Sequence, residues 1–526
     1  MNKKTYYELL NELSSDDLFE GLLGYGLFAE KIPPFLTSEN FLEFCKNPPE
    51  NFNFDKTPKK YINYESIRNI NIPRILSVPN PIAYYHLCKV LSDNWDKLLE
   101  YFRNKTEYQE YKISRIHIRK IDDNLKVFTM CYQNLDDIDL EDYSQLIQKH
   151  IFEMNHKNFC TDDYPEPKLL IGKKYVVKAD ISNCFPSIYT HSLAWALVSK
   201  EVAKYNRDDS EWFNKIDIYA RNLKDGETHG ILIGNHSSNI LSEIILTAID
   251  EIMYEKGYRY IRNIDDYSCY IDTREKADEF LVDLSTELKQ FGLMLNHKKT
   301  EILKLPLAST ENWVRKLNSF VFSNVSKLKL NEVRAYFDIA LDLMIHNKEN
   351  SAILNYSIKV LSKREMTQNA KDYFIDTIHH LVLLYPYLVT LLDQKIFSTF
   401  SIDKSKIESI AKDLFNLGES KKLYETMSYA LFFSLKYNFI LVESLFEKVE
   451  KTNDTILLLL SYLHDKKFVK HSKVMKQYKE LAKELNEEID EYWIFVYEVL
   501  TAGLLTKEWK SMKKEEITFL RSEYCL

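Results

Sequence analysis

The chain has few cysteines and no pair of them at metal-binding spacing. Its 526 residues include seven cysteines, an odd number, and no two of them form a C-x-x-C motif. Secreted disulfide scaffolds and zinc knuckles need a regular cysteine pattern. Both classes are therefore excluded, and a reducing cytoplasm is the predicted location.

Long uninterrupted apolar segments are also missing. The two longest, residues 381–392 and 427–442, are interrupted by Pro386 and by Lys436 with Asn438. A membrane-spanning helix needs about 20 apolar residues in succession. The first ten residues, MNKKTYYELL, are not followed by the apolar run of a signal peptide. We therefore expect a soluble protein with no membrane partner.

Positive charge is in deficit across the chain. There are 70 Lys and Arg against 78 Asp and Glu, which gives a net charge of -8. Proteins that bind nucleic acid normally present a basic surface to the phosphate backbone. Any nucleic acid must therefore be held locally, and short basic clusters lie within residues 112–120, 168–178 and 297–304. Ordinary solvated lysines explain each cluster, taken alone, about equally well.

Glycine and proline almost disappear in the second half. Of 13 prolines and 11 glycines, only Pro386, Gly418 and Gly503 follow Pro306. Such a change from turn-rich to turn-poor sequence predicts a domain boundary near residues 305–315. We predict one domain over residues 1–310 and an all-α domain over residues 311–526. Helical spacing recurs in the second domain without a fixed period, so a HEAT-like array and an irregular bundle both remain open.

The first half alternates apolar segments of strand character with amphipathic helices. Strands are predicted at residues 175–179 and 258–264. This alternation indicates an α+β domain. Asp180 directly follows the first strand and precedes a turn at Pro186. A carboxylate at a strand tip is well placed to hold a metal ion, although a turn or helix-cap aspartate is the more common explanation for one such residue.

The second strand leads into an adjacent pair of acidic residues, Asp265 and Asp266. Neighbouring carboxylates at the tip of a hairpin repel one another, and a third carboxylate beside them would destabilise the fold unless cations were present. An exposed turn with two solvated aspartates is the alternative. Oxygen ligands suit Mg²⁺, and two such ions are what nucleotidyl transfer requires. We therefore predict two Mg²⁺ ions as cofactors, with Mn²⁺ as a substitute.

Two further motifs accompany the aspartates. Gly230 and Gly234 lie between the aspartate segments and precede an apolar helix face, and glycines there let the backbone approach a nucleotide closely. Lys299 follows the second aspartate segment, and a lysine near a leaving pyrophosphate can donate a proton or offset charge. A surface lysine is the alternative for Lys299.

These motifs, in this order, resemble those of the reverse transcriptases. The two aspartate segments resemble motifs A and C, the glycine segment between them resembles motif B, and residues 291–302 are similar to the GL-x-LN-x-x-KT signature of the next palm motif. The resemblance covers about residues 175–306. It implies an α+β, reverse-transcriptase-like fingers and palm, followed here by the all-α domain.

The resemblance also implies residue roles at the catalytic centre. Asp180 and Asp265 would hold the metal ions with Ile181, and Asp266 would lie at the edge of the metal site. Lys299 would complete the catalytic set.

Further roles concern the nucleotide. Phe185 matches the aromatic residue that blocks a 2′ hydroxyl, with core packing as the alternative, and Ile181, Gly230 and Gly234 would also contact the nucleotide. Arg74 and Arg115 lie where the fingers of such enzymes contact triphosphate and template.

The residues 21–28 and 32–39, together with the long helical half, narrow the resemblance to bacterial abortive-infection and defence-associated reverse transcriptases of the AbiK-like kind. This resemblance implies anti-phage defence, deoxynucleoside triphosphates as substrates, and a homo-oligomer. It implies untemplated synthesis from a protein tyrosine, so that the single-stranded DNA product is attached to the protein. Tyr6 and Tyr7 are the candidate priming residues because an N-terminal pair is expected to be mobile or exposed.

Two alternatives remain open. In the first, the polymerase copies a bound non-coding RNA; in the second, an inactive palm serves as a scaffold for protein binding. The sequence also departs from the family pattern at Asn263, where an aromatic residue is expected, and at Leu232, where proline is expected. These departures concern the primer and template, since the metal ligands themselves are retained.

Overall fold

The computed structural model describes residues 5–50, 52–68, 73–116, 118–120, 152–153, 164–323 and 326–525. The strands are numbered in chain order: β1 Tyr61–Ser66, β2 Arg74–Pro79, β3 Arg119–Lys120, β4 Phe152–Glu153, β5 Tyr175–Asp180, β6 Tyr260–Asn263, β7 Asp266–Ile271 and β8 Glu301–Lys304. Among the described residues before 310, the helices are α1 Tyr6–Leu10, α2 Ser15–Tyr25, α3 Glu39–Lys46, α4 Pro81–Asp93, α5 Trp95–Thr106, α6 Glu166–Leu169, α7 Cys184–Ser187, α8 His191–Val198, α9 Lys200–Tyr205, α10 Trp212–Asn222, α11 His236–Glu255 and α12 Arg274–Gln290.

The remaining helices belong to the second half of the chain: α13 Asn312–Asn318, α14 Leu330–His346, α15 Ser351–Ser362, α16 Gln368–Leu384, α17 Val389–Leu391, α18 Lys404–Lys421, α19 Tyr424–Tyr437, α20 Phe446–Val449, α21 Thr455–His464, α22 Ser472–Leu485, α23 Ile489–Val499 and α24 Lys507–Lys514. Short 3-10 turns cover Pro386–Leu388, Asn486–Glu488 and Ser522–Tyr524, and π-helical turns cover Leu392–Ser398 and Asp465–Val469.

The centre of the first half is a four-stranded antiparallel sheet with the order β6-β7-β5-β8. Val177 in β5 and Cys269 in β7 are directly paired and fully buried. Helices α11 and α12 pack together beside this sheet through buried apolar residues. The strands predicted at residues 175–179 and 258–264 are confirmed as β5 and β6, and the mixed α/β architecture is confirmed with them.

A two-stranded antiparallel hairpin, β1 and β2, forms a separate layer. Directly after β2, the side chain of Asn80 accepts a hydrogen bond from Ile82 N and Pro81 occupies the first turn of α4. Asparagine as the cap and proline in the first turn are favoured at a helix start. The chain therefore turns sharply from β2 into α4, which packs against α2 and α10.

The second half is largely helical, as predicted. Helices α18 and α19 pack closely because Gly418 has no side chain: a Cβ atom there would lie 2.6 Å from Cγ of Met427. The change from mixed to helical structure follows β8, close to the predicted boundary. Buried apolar residues form one continuous cluster across that position, however, so the division at residue 310 stays a prediction.

The helical half returns to the beginning of the chain. Thr37 N donates to Phe519 O at 2.8 Å, and Arg521 N donates to Phe35 O at 3.0 Å. The rings of Phe41 and Phe519 pack beside these bonds with centroids 5.5 Å apart. Residues 519–521 therefore complete the packing of a segment more than 470 residues earlier in the chain. Within the ranges that the structure describes, no helix combines the length and apolar character needed to cross a membrane.

Candidate active site

Two of the three predicted aspartates face each other across neighbouring strands. Asp180 ends β5 and Asp266 begins β7, and the antiparallel register pairs them directly. Directly opposed residues in a sheet bring their side chains within about 5 Å, where like charges destabilise the pairing. The structure thus brings together residues that the sequence separates widely, as the metal-site prediction requires.

The third aspartate lies in the tight turn between β6 and β7. Ile264 and Asp265 form the turn, and Ile264 has a φ of 58°. A β-branched residue is strained in this left-handed region, so the turn must be held by its surroundings. One such contact comes from the first aspartate strand: Ile181 N donates to Asp265 O at 3.2 Å. The main chain after Asp180 is therefore fixed against the turn that carries Asp265.

Asp180 has two side-chain donors from the segment after α12. Lys299 Nζ lies 2.7 Å from Oδ2, and Asn296 Nδ2 lies 2.8 Å from Oδ1. Asn296 N also donates to Asp180 O at 2.7 Å, and Ser182 N donates to Met294 O at 2.8 Å. The segment that contains the lysine is thus laid against the strand tip by main-chain bonds. This geometry brings Lys299 into the site, as predicted.

The three carboxyl groups have different proton affinities. Burial opposes ionisation of Asp180, but the hydrogen bonds from Lys299 and Asn296 outweigh it and hold the pKa below its usual range. Burial raises the pKa of Asp265, and the charge of Asp180 adds to the effect. Burial, the hydrogen bond with Asp180 and the charge of Asp265 raise the pKa of Asp266 to about 6. For Asp265 and Asp266, the crowding of negative charge is the cause of the raised pKa that both share besides burial.

This donor set fits a divalent, oxygen-preferring cation. Carboxylate oxygens are the ligands of Mg²⁺, and mutual repulsion among Asp180, Asp265 and Asp266 is what a bound cation would relieve. In the described part of the chain, no group of three acidic, histidine or cysteine side chains is placed to hold a metal ion. The fit of Asp180, Asp265 and the main chain of Ile181 to Mg²⁺ is therefore one of ligand chemistry, since all three offer oxygen atoms.

The two glycines lie close against other parts of the protein. Gly230 has a φ of 84°, and a Cβ atom there would lie 2.9 Å from Pro186 O. Gly230 N donates to Ile188 O at 2.7 Å. Gly234 has a φ of 121°, and a Cβ atom there would lie 2.9 Å from Cβ of Ala29. Side chains at both positions are therefore strained by conformation as well as by contact.

Phe185 lies in the short helix that follows Asp180. Its ring is partly buried against the apolar core, and its carbonyl accepts a hydrogen bond from Ile231 N at 2.9 Å. The glycine segment therefore holds the main chain at Phe185. Part of the Phe185 ring, to which the resemblance assigns sugar selection, is therefore exposed.

The two arginines assigned to the fingers have different environments. Arg74 begins β2 and is exposed, and the negative charge of Asp265 acts on it. Arg115 is buried at the β6 edge of the sheet, where its main-chain N donates to Arg262 O and its guanidinium lies 3.6 Å from Glu166. The sheet order puts that edge two strands from Asp180. The structure thus brings Arg74 towards the aspartates and gives Arg115 a place at the sheet edge.

The candidate priming tyrosines differ in exposure. Tyr6 is 5% exposed, and its hydroxyl donates to Oε2 of Glu243 at 3.0 Å. Tyr7 is half-buried, and its hydroxyl lies 3.4 Å from Oδ1 of Asn11. The expectation of an exposed N-terminal pair is therefore wrong for Tyr6, because α1 packs that face into the core, and Tyr7 is only partly exposed.

Sequence reasoning missed a buried charge network behind the aspartate turn. Arg262 in β6 is fully buried and lies 2.7 Å from both Glu243 and Asp250 of α11. Its Nη1 also donates to Ile264 O at 2.8 Å. Because this arginine joins the strained turn to a long helix, it positions Asp265. The sequence did contain a signal for this network, because Glu243 and Asp250 interrupt the otherwise apolar face of α11.

Comparison with known proteins adds a family model to this geometry. Residues 112–331 match the model described as reverse transcriptase (RNA-dependent DNA polymerase). No curated protein matches the chain. The matched residues include Asp180, Asp265, Asp266 and Lys299.

Solved structures similar to this chain include telomerases of two yeasts. An apo telomerase from Candida tropicalis, truncated from its C-terminal domain, is 15% identical over 50% of this chain and 52% of its own, with a TM-score of 0.27. A second apo telomerase from Candida tropicalis is 12% identical over 76% of this chain and 68% of its own, with a TM-score of 0.28. A telomerase from Candida albicans in complex with a fragment of telomeric RNA is 13% identical over 73% and 66%, with a TM-score of 0.24. The chain spans about half of the first of these structures and about two thirds of the others.

Proposed function

Because residues 112–331 form a reverse-transcriptase domain, we propose that this protein is a DNA polymerase of the reverse-transcriptase superfamily that acts in anti-phage defence. The observation that carries the polymerase activity is the meeting of Asp180, Asp265 and Asp266 at one end of the sheet, with Lys299 bonded to Asp180. Defence and the AbiK-like relationship are supported by the sequence segments before residue 40 and by the long helical half.

The residues of the site divide the work of nucleotidyl transfer. Asp180, Asp265 and the main chain of Ile181 would hold Mg²⁺, which supplies activation of the attacking hydroxyl and neutralises the triphosphate. Lys299 is bonded to Asp180 and is close enough to offset charge on the phosphates. Asn296 orients Asp180 by donating to its other oxygen. Arg262 holds the turn of Asp265 in place.

We further propose that synthesis uses deoxynucleoside triphosphates and starts from a tyrosine of the protein. A net charge of -8 offers little surface to a nucleic-acid duplex, which favours untemplated synthesis. The partly exposed Tyr7 is the better N-terminal candidate, and tyrosines of the helical half are the others. The product would be single-stranded DNA attached to the protein. A homo-oligomer in the cytoplasm completes the proposal.

Primer-free incorporation tests the function directly. Purified protein is incubated with Mg²⁺ and labelled deoxynucleotide, and the products are run on a denaturing gel before and after protease and nuclease digestion. We expect label at the position of the protein, released as DNA by protease. Free labelled DNA without protease treatment would instead indicate copying of a bound RNA, which sequencing of copurified nucleic acid would identify.

Asp265→Asn serves as the matched inactive protein. Loss of incorporation in this variant, with activity in the unmodified chain, would exclude the scaffold alternative. Equal absence of incorporation in both proteins, with Mg²⁺ and with Mn²⁺, would contradict the polymerase proposal.

A further inference from the structure

A cavity of about 470 Å³ lies between the first and second halves of the chain, away from the aspartates. The first half contributes Lys31, Ile67 and Arg68, of which the last two follow β1. The second half contributes residues from α15 and from the turns around α17: Ser351, Asn355, Lys359, Tyr387, Thr390 and Leu391. Ligand pockets in proteins typically measure about 300–1,000 Å³, so this one has room for a nucleotide.

Among the residues that the structure describes, the lining of the cavity has positive charge and no carboxylate. Lys31, Arg68 and Lys359 are the charged residues among those that surround the cavity. Two acidic residues, Glu425 near Lys31 and Glu349 near Tyr387, act on these side chains from outside the lining. Three cations around a space of this size make a favourable environment for phosphate.

One face of α15 is directed along the cavity. Ser351, Asn355 and Lys359 follow one another at intervals of four residues, so they form a single stripe on the helix. Ser351 is the first residue of the helix, where main-chain N–H groups give the end a partial positive charge. The stripe therefore offers a hydroxyl, an amide and an ammonium group in addition to the helix end.

Tyr387 provides an independent sign of a ligand. The residue is 7% exposed, and within the described ranges its hydroxyl has no hydrogen-bond partner. A buried hydroxyl without a partner costs free energy, and native structures usually satisfy such groups with protein, water or ligand. Tyr387 lines the cavity, but its hydroxyl is closed to solvent, so a phosphate oxygen in the cavity would satisfy it only after a small rotation of the side chain.

Basic residues continue from the cavity towards the aspartates. Burial lowers the pKa of Lys31, and the charges of Arg68 and Arg74 lower it further. Burial and Arg68 likewise lower the pKa of Arg74, on which Asp265 has the opposite effect. In the register of β1 and β2, Arg74 is paired with Ser66, two residues before Arg68, so Arg74 lies between the cavity residue Arg68 and the charge of Asp265. The three cations repel one another, and an anion bound among them would relieve that repulsion.

We propose that this cavity is a second phosphate-binding site, which holds a phosphodiester group of a single strand of DNA that extends from the palm. The continuity of Arg74 with both the aspartates and the cavity favours a strand over a free nucleotide. The identity of the strand rests on the proposed function, because the palm would make it. Binding itself does not require synthesis and is measured separately.

The test uses the full-length protein, a fluorescently labelled oligothymidylate, and EDTA to suppress metal-dependent binding at the aspartates. The double variant Arg68→Gln with Lys359→Gln removes two cations from the lining. We expect the affinity for the oligonucleotide to fall about tenfold or more. The slope of log K against log salt should become shallower by roughly 0.7 for each phosphate contact that is lost.

Two further variants make the result specific. Tyr387→Phe removes only the hydroxyl, so we expect weaker binding with an unchanged salt slope. Lys473→Gln with Lys476→Gln removes the same number of charges as the double variant from exposed positions on α22 and should leave the affinity unchanged. Thermal unfolding of every variant confirms that the fold is retained, and Tyr387→Phe still reports on the site if the double variant fails to fold.

The outcomes separate the possible ligands. Unchanged oligonucleotide binding in both the double variant and Tyr387→Phe would overturn the proposal. A site that loses dATP binding in these variants while strand binding persists would also overturn it, in favour of a free nucleotide. Cavity-dependent strand binding by a protein that makes no DNA would support the site and contradict the proposed function alone.

Discussion

Lys299 and Asp180 are bonded across 119 residues of sequence, with Nζ 2.7 Å from Oδ2. The lysine side chain is 65% exposed, whereas that of Asp180 is 7% exposed. The aspartate is thus fixed by the fold, while the lysine reaches it from the surface. Lys299 can therefore keep its bond to Asp180 or move to a phosphate without any rearrangement of the sheet.

Replacing Asp180 or Asp265 should eliminate DNA synthesis and leave the fold intact. Asp180→Asn or Asp265→Asn removes a carboxylate ligand and also lowers the repulsion within the site. We expect incorporation to fall by more than the roughly 10–100-fold that loss of an outer partner of a metal site costs. Asp266→Asn should have a smaller effect. Asp272→Asn, at the partly exposed position directly after β7, is the control. Full activity of Asp180→Asn with Mg²⁺ would show that the site is wrongly assigned.

Phe185→Ala should admit ribonucleotides. A ring against the sugar leaves no room for a 2′ oxygen, and removal of the ring creates that room. The ratio of kcat/KM for dATP to that for ATP measures selectivity, and we expect it to fall by at least about tenfold. Phe213→Ala, which removes a buried ring in α10, controls for general loosening of the structure. An unchanged ratio in Phe185→Ala would show that the ring packs in the core and does not select the sugar.

Arg262→Met should destabilise the protein strongly. The substitution leaves Glu243 and Asp250 buried without their cation, and breaking such a network costs about 3–5 kcal/mol. We expect a lower urea midpoint, together with weaker activity because the Asp265 turn loses its contact. Arg259→Met, at a partly exposed position one residue before β6, is the control. A midpoint equal to that of the control would contradict the structural role of Arg262.

Glu425 should make stability decrease as pH rises. This carboxyl accepts a hydrogen bond from Ile67 N at 2.6 Å, and burial raises its pKa from 4.5 to about 7. Between these values the folded state binds more protons than the unfolded state, so the stabilisation is complete below pH 4.5 and is lost as pH rises through 7. The difference of about 2.5 units corresponds to about 3 kcal/mol at ~1.36 kcal/mol per unit.

Urea unfolding at several pH values measures this contribution. Glu425→Gln should flatten the decline between pH 4.5 and 7, whereas Glu419→Gln, at a more exposed position on α18, should retain it. Burial also raises the pKa of Asp454 to about 6, so part of the slope should remain in Glu425→Gln. Identical profiles for the two variants would assign the slope to other groups.

Local pattern and family resemblance were sufficient for the centre of the site. β5 could be predicted because it is largely apolar and ends in Asp180, and β6 because a segment of strand character leads into the acidic pair. Lys299 could be assigned from its motif. In contrast, the burial of Tyr6 depends on Glu243, and the environment of Gly234 depends on Ala29; both partners are distant in sequence and are brought near only by packing.

The network around Arg262 escaped prediction for a related reason. Charged residues are rarely buried unless they are paired, so the sequence pattern alone would give Glu243 and Asp250 solvated positions on α11. Their partner is in a strand, and the pairing exists only after the helix has packed on the sheet. Arg115 is similar: its basic cluster suggested phosphate contacts, while the folded chain buries it beside Glu166.

The hydrogen bonds that join Phe519 to Thr37 and Arg521 to Phe35 can form only at the end of translation on the ribosome. At about 5–20 residues per second, roughly 10–40 s pass between translation of residue 310 and of residue 521. The N-terminal segment lacks its covering residues throughout that interval. Its apolar side is then available to chaperones. A chain truncated before residue 519 would have a polymerase domain whose first helices remain uncovered.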